Sequence, residues 1–351
     1  MSSALGGKRP RPTQELEADV DAGADESDVA TSPTSGPQGD VLPTAAEPTN
    51  SDVEAAIATV LKDWRSLAFR TPFTESLINY ILRTGRALLM SEPSLVQLEA
   101  PVNICGDTHG QIHDLSSIFQ AGKMPPQARY LFLGDYVDRG KFGIEVFCIL
   151  LGLKLLHPTH MYILRGNHEV GTINRHYGFF DECKRRYSVK LYKAFNDVFN
   201  CLPIAALVEG AVLCMHGGIS PHLKRLDDIA NVRRPFMPQD TGLVCDLLWA
   251  DPTEIPGWQA NERGVSYTFG PDVLRKCMAE LDVDLVVRAH QVMEEGFGFF
   301  AERSLVTVFS ASNYTGEFEN CSAMLVMDQD MKCSFQVFDP TRRVAAFNRL
   351  Q

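Results

Sequence analysis

The chain has 351 residues, 45% hydrophobic and 22% charged, with 20 Pro, 26 Gly and a formal net charge of −11. That much apolar material buries a substantial core in one large or two ordinary domains, which excludes a wholly disordered chain. No run of about 18 apolar residues marks a membrane span and no basic excess marks a phosphate-backbone binder, so neither a membrane span nor a direct nucleic-acid partner is expected.

Residues 1–50 hold nine acidic and three basic side chains among Pro, Ser, Thr, Ala and Gly, which leaves −5 for everything after them. Such a stretch cannot bury enough apolar area to offset its ordering entropy, so a disordered extension is expected there. Lys8-Arg9-Pro10-Arg11 is a weak match to a nuclear address, and flexible tails commonly carry such charges. The polar start from Ser2 to Gly7 and nine singly spaced cysteines with no CxxC pair fit a reduced, intracellular protein, cytoplasmic or nuclear.

The folded part is expected over 51–340, with a short tail at 341–351. Ser51 and Glu54 have capping-box spacing ahead of Ile57, Val60, Leu61 and Trp64, and a second helical stripe follows with Leu77, Ile78, Ile81, Leu82, Leu88 and Leu89. Beyond it, Val102–Cys105, Tyr130–Leu133 and Met161–Leu164 are short apolar runs with helical segments at about 112–120 and 142–156 between them, which is βαβαβ wiring. Helix is expected from Phe179 to about Leu202, and then a hairpin of Ala205–Val208 and Val212–Met215 turning at Glu209-Gly210. Leu285–Arg288 reads as a strand, and Leu305–Phe309, Met324–Met327 and Ser334–Phe338 read as a meander in a second sheet. The expected class is α/β: a β-sandwich of two mixed sheets with helices outside and the site along one edge.

Five of these elements lead into motifs rich in carboxylate and imidazole: Gly106-Asp107-Thr108-His109-Gly110, Gly134-Asp135-Tyr136-Val137-Asp138-Arg139-Gly140, Gly166-Asn167-His168-Glu169, His216-Gly217-Gly218 and Arg288-Ala289-His290. Hard-to-intermediate divalent metals take such ligands, and the set supplies two adjacent metals with one bridging carboxylate, which points to metal-assisted hydrolysis. One Gly-Asp dipeptide alone is ordinary turn chemistry; the order and spacing of all five carry the signal. His113, His157, His160, His176 and His222 stand alone and receive no role.

This motif set resembles the phosphoprotein phosphatase family of serine/threonine phosphatases, within the calcineurin-like metallophosphoesterase fold, over about residues 52–340. Tyr177–Tyr187, Phe199–Ala206 and Cys245–Trp249 are similar to the type-1 catalytic subunit more than to the type-2A or calcineurin branches. The resemblance implies that Asp107 and His109 bind one metal, Asn167, His216 and His290 the other, and that Asp135 bridges. It implies hydrolysis of phosphoserine and phosphothreonine by direct attack of a metal-bridging hydroxide, with His168 as general acid oriented by Asp138. Arg139 and Arg263 would clamp the phosphate, Asn167 would also touch it, and Tyr314 would border the substrate. Glu169, a carboxylate beside the cluster, reads as a support for ligand geometry. The metals would be manganese, iron or zinc, with manganese serving in vitro.

The type-1 branch also docks regulatory subunits and inhibitor proteins through a shallow apolar channel that takes short extended peptides. By position, Val212, Leu285, Phe299, Met331, Cys333 and Phe335 would line it, although sheet packing explains the same residues. Several positions depart from that branch. Ser312-Asn313-Tyr314-Thr315 stands where it has Pro before the Asn-Tyr pair and Cys after it, so covalent capture by thiol-reactive cyclic toxins is not expected. Val170-Gly171-Thr172 replaces Cys-Ala-Ser, and the tail from Thr341 lacks a Thr-Pro site. A phosphodiesterase on the same fold and an inactive phosphopeptide-binding scaffold are the competing readings.

Overall fold

A computed structural model describes residues 46–68 and 70–340. The disorder expected over 1–50 falls almost wholly, and the tail at 341–351 wholly, outside the described residues. From Glu47 onward the described residues belong to a single compact unit.

The first helix, Asn50–Lys62, begins earlier than expected: the capping box is Thr49 with Asp52, not Ser51 with Glu54. Thr49 is extended, and both its N–H and its hydroxyl donate to Asp52 Oδ2, at 2.8 and 2.7 Å. A carboxylate three residues past the cap reaches back this way, which leaves Ser51 and Glu54 on the exposed face. In helix Glu75–Ser91, Thr74 Oγ1 accepts from Leu77 N–H at 3.2 Å, and the apolar stripe Leu77, Ile78, Ile81, Leu82 and Leu89 is buried. The helix expected over 179–202 is two, Phe179–Arg186 and Val189–Phe199, because Ser188 is extended and its hydroxyl starts the second by accepting from Leu191 N–H at 3.1 Å.

Two mixed sheets face each other. One runs in the order β1 (Leu95–Leu98), β5 (Ala205–Val208), β6 (Val212–Met215), β10 (Leu285–Arg288), β12 (Leu305–Val308), β11 (Phe297–Phe300). The other runs β14 (Cys333–Phe338), β13 (Ser322–Met327), β2 (Val102–Cys105), β3 (Tyr130–Phe132), β4 (Met161–Ile163). A small third sheet, β7 (Asp251–Pro252), β9 (Tyr267–Phe269), β8 (Trp258–Ala260), has no counterpart in the sequence reading. The meander is corrected too. Leu305–Val308 lies in the first sheet, parallel to β10 with Val286 opposite Leu305, while β13 and β14 pair antiparallel in the second.

Alternation along the strands builds three cores. Ile104, Leu131, Leu133, Ala206, Val208, Cys214, Val287 and Val308 fill the space between the sheets. Cys105, Tyr130 and Phe132 face outward into a helical layer, and Ala205, Leu213, Met215 and Val286 face outward into another. With both faces covered, the strands read as continuous apolar runs, which is why they stand out in the sequence. Strands β2, β3 and β4 are parallel, as are β6 and β10, so their carboxyl ends gather the motifs on one rim. The sheets are tied together there by Gly106 N–H donating to Ser310 Oγ at 2.8 Å and Ser310 N–H to Asp107 O at 3.1 Å. A Cβ at Gly106 would lie 1.9 Å from Val308 O, so only glycine allows this approach.

Candidate metal centre

The rim loops are interlocked by backbone. Thr108 and His109 N–H donate to Asp135 O at 3.0 and 2.9 Å, and Gly110 N–H to Tyr136 O at 2.8 Å. Glu169, fully buried, accepts from the N–H groups of Asp135, Tyr136 and Gly166 at 2.7, 2.9 and 3.0 Å, which ties the loops after β3 and β4. Where those loops touch, Gly134 has φ 119° and a Cβ on it would lie 2.4 Å from Gly166 N. Five site residues that are not glycine hold left-handed backbone: His109, Asp135, Asp138, Arg139 and His290, with φ between 40° and 69°. Each costs about 1–2 kcal/mol, which the hydrogen-bonded frame offsets.

Each acidic ligand candidate is anchored by one oxygen and presents the other. His290 N–H donates to Asp107 Oδ1 and His168 N–H to Asp135 Oδ1, both at 2.9 Å. Asp107 Oδ2 lies 3.6 Å from His109 Nε2. Asp135 Oδ2 lies 3.5 Å from His109 Nε2 and 3.4 Å from His216 Nε2, between the two imidazoles.

The proton inventory fits cations. His109 Nδ1 donates to Val137 O at 2.9 Å and His216 Nδ1 to Leu133 O at 3.2 Å; a carbonyl only accepts, so both Nε2 atoms present lone pairs. His216 Nε2 nonetheless lies 2.7 Å from Asn167 Oδ1, and His290 Nδ1 is 3.2 Å from the same nitrogen. Burial, reinforced by Arg288 although opposed by Asp107, drives His216 down to about 3, and burial with His216 beside it holds His290 well below the usual imidazole range. Burial, then Asp107 and Glu169, pushes Asp135 well above the carboxylate range. Among the described residues, His290 Nε2 is the buried side-chain atom left without a hydrogen-bond partner. Lone pairs and carboxylates packed against one another out of water need positive charge between them, and oxygen with imidazole nitrogen is the donor set of divalent manganese, iron or zinc.

Beside this cluster, Asp138 Oδ2 accepts from His168 Nδ1 at 2.6 Å while Asp138 Oδ1 accepts from Phe179 N–H at 2.8 Å. Burial lowers the His168 pKa and the Asp138 bond opposes that shift. A cavity of about 390 Å³ opens over the rim, and Asp107, His109, Asp135, Asn167, His168 and His290 line it together with Arg139, Arg263 and Tyr314. His216 lies deeper, fully buried behind Asn167 and His290. Arg139 stacks on the Tyr177 ring at 4.3 Å, Arg263 Nε donates to Asp251 Oδ2 at 2.7 Å, and Tyr314 packs on His109 with ring centroids 5.0 Å apart.

Residues 100–294 match the calcineurin-like phosphoesterase family. A protein serine/threonine phosphatase from Saccharomyces cerevisiae, described as similar to human phosphatase PP5, is 33% identical, with 80% of this chain and 95% of that chain covered and a TM-score of 0.76. The chain belongs to the calcineurin-like phosphoesterases, in their serine/threonine phosphoprotein phosphatase branch. A cold-active protein-tyrosine phosphatase of a psychrophilic Shewanella species is also similar, at 17% identity over 72% of this chain and 84% of that one, with a TM-score of 0.49. The protein is thus a metal-dependent phosphoesterase on the expected α/β fold.

Several residues of this phosphoesterase's site were not singled out in the sequence. Tyr177, Trp249 and Gln291 line the cavity, and the edge of Trp249 meets His290 with centroids 5.5 Å apart. Asp251 holds both Arg263 and the fully buried Arg288, the latter at 2.9 Å. No motif flanks Asp251, so its type and position alone gave no signal. The six residues of the expected channel lie away from the cavity. Phe299 on β11 and Phe335 on β14, the outer strands of the two sheets, meet at 5.8 Å, and Phe335 also stacks on Phe297 at 3.8 Å. Leu285, Met331 and Phe335 are half-buried against the inter-sheet core, Val212 is buried in it, and Phe299 and Cys333 are exposed.

Proposed function

We propose that the protein hydrolyses phosphoserine and phosphothreonine esters in proteins, by direct attack of water and with no phosphorylated enzyme. The observation that carries this is Asp135 Oδ2 standing 3.4–3.5 Å from the lone-pair nitrogens of both His216 and His109, the place of a bridging carboxylate between two metals. Asp107 and His109 would hold one ion, and Asn167, His216 and His290 the other. When bound, such a pair supplies positive charge for the phosphoryl oxygens and brings the pKa of a water near neutrality.

The protein's own groups do the rest. Arg139 and Arg263 present planar guanidinium groups to the equatorial oxygens of the phosphate, and Arg263 is aimed by its bond to Asp251. A seryl or threonyl alkoxide leaves only as it is protonated. His168 in its imidazolium form is that acid: Asp138 accepts from Nδ1–H and opposes the burial that would discharge the ring, and the second proton, on Nε2 toward the cavity side 4.0 Å from Asp135 Oδ2, is the one passed to the leaving oxygen. Tyr314, packed on His109, closes one side of the cavity.

Targeting by regulatory subunits of the type-1 kind belongs to the same proposal and uses the channel of Val212, Leu285, Phe299, Met331, Cys333 and Phe335. Its support is aromatic surface on two outer strands, where an extended peptide can add. The test of substrate class compares phosphoserine peptides with a bis-aryl phosphate, using the full chain with manganese in excess. Faster turnover of the peptides is expected; a preference for the diester rejects the reading.

A further inference from the structure

A second cavity, of about 260 Å³, adjoins the first. Its walls include Gln111, His113, Arg139, Lys141, Asn313 and Thr315, and Arg139 lines both cavities. Two permanent cations and an imidazole therefore share a space with no carboxylate in its lining, in a chain whose net charge is −11. Among the described residues, neither Arg139 nor Lys141 is within ion-pair distance of an acid. Two carboxylates outside the lining bond to its neutral groups and to His113, not to Arg139 or Lys141. Asp114 is fully buried, accepting from Ser312 Oγ and Ser322 Oγ at 2.9 Å and from Gln111 Nε2 at 2.7 Å, and one of its oxygens lies 3.0 Å from His113 Nε2. Glu317 accepts from the Thr315 hydroxyl at 3.4 Å.

We infer that this cavity is an anion subsite that reads a carboxylate or a second phosphate on the peptide beside the phosphorylated residue. The inference rests on the proposed protein-phosphatase function. Cations in a concave wall focus positive potential, and the Asn313 amide adds a neutral donor, while the Gln111 amide is committed to Asp114 Oδ2 and Ser312 O and the Thr315 hydroxyl to Glu317. His113 is not free to swing away, since Asp114 holds its Nε2 and its ring lies on Trp64 with centroids 5.9 Å apart. Because Arg139 belongs to both cavities, a peptide with its phosphate over the metals places a neighbouring anion within reach of Lys141. Lys141 is exposed, so its pairing is worth a modest factor and acts on binding, not on the chemical step.

The experiment uses the full chain with manganese and three sets of phosphoserine peptides: neutral flanks, Glu placed two to four residues to either side, and a second phosphoserine at those positions. Wild type is expected to show KM lower by about threefold for the best Glu peptide and further for the best doubly phosphorylated one, at similar kcat. Lys141→Ala is expected to erase that preference and Lys141→Glu to invert it, with aryl phosphate hydrolysis unchanged in both. Equal kcat/KM across the sets in wild type, or a preference that survives Lys141→Glu, overturns the inference. Failure of the parent reading is separate: aryl phosphate is turned over while neutral phosphoserine peptides are not. In that event the readout is inhibition of aryl phosphate hydrolysis by the acidic peptides, where inhibition weakened by Lys141→Glu supports the subsite and none overturns it.

Discussion

Between Asp135 and Arg139 the backbone passes through three left-handed residues that are not glycine, whereas from Gly143 to Lys154, a few positions on, it is regular helix with every residue buried. The first segment is ordered against its local preference: Asp135 N–H donates to Glu169, and the His168 and Phe179 N–H groups donate to the Asp135 and Asp138 carboxylates. The second is ordered mainly by apolar packing, with its buried Glu145 and Lys154 paired to Arg186 and Glu92, and with Gly85 and Gly152 admitting close neighbours: a Cβ on Gly85 would lie 2.6 Å from Leu151 Cδ2. The rim converts polar bonding into ligand geometry, and the helix converts burial into stability. The two contributions are separable, so mutations in one are expected to leave the other's readout nearly untouched.

The largest effect is expected at Asp135→Asn. Removing the shared oxygen charge lowers turnover of aryl phosphate by about 10³-fold or more, with bound metal reduced and circular dichroism unchanged. Near-normal rates would break the rim's side of the comparison. His168→Ala comes next, lowering turnover of phosphoserine peptides by about 10²–10⁴-fold with metals retained, and costing much less for an aryl phosphate, whose leaving group needs no proton. Equal losses on both substrates would remove its assignment as the acid.

Leu151→Ala probes the helix. Deleting a fully buried side chain there costs about 2–5 kcal/mol in a urea titration, while kcat per folded molecule stays constant. A matching loss of kcat would show that the two regions are coupled. The smallest effect is at Thr315→Gly: Thr315 holds φ 56° and ψ 0° beside left-handed Asn313, so glycine releases about 1–2 kcal/mol of strain and forfeits about 0.4–1 kcal/mol to a more flexible unfolded chain. A net gain of about 0.5 kcal/mol is expected, and a lower urea midpoint would contradict the strain.

The parts visible in the sequence are those whose signal is local. Strands β2, β3 and β4 are buried on both faces and stop at Gly-Asp or Gly-Asn turns, so apolar runs and motifs coincide at Asp107, Asp135 and Asn167. What escaped depends on distant pairing. Leu305–Val308 and Ser322–Met327 carry the same apolar pattern, and only the parallel match with Val286–Arg288 assigns the former to the other sheet. The third sheet has strands of two or three residues with exposed positions, too short for a period to show. Asp114, Asp251 and Arg288 are buried charges whose partners Ser312, Arg263 and Asp251 lie 198, 12 and 37 positions away, so their roles as fixed supports appear only when the chain is folded.

Everything proposed for the rim depends on two cations sharing the Asp135 carboxylate. Equilibrium dialysis of the metal-stripped full chain against manganese, with bound metal and phosphoserine-peptide hydrolysis followed together, tests it most directly. Two ions per chain at saturation are expected, with activity that appears as the pair fills; saturation at one ion, or full hydrolysis with none bound, rules the shared carboxylate out.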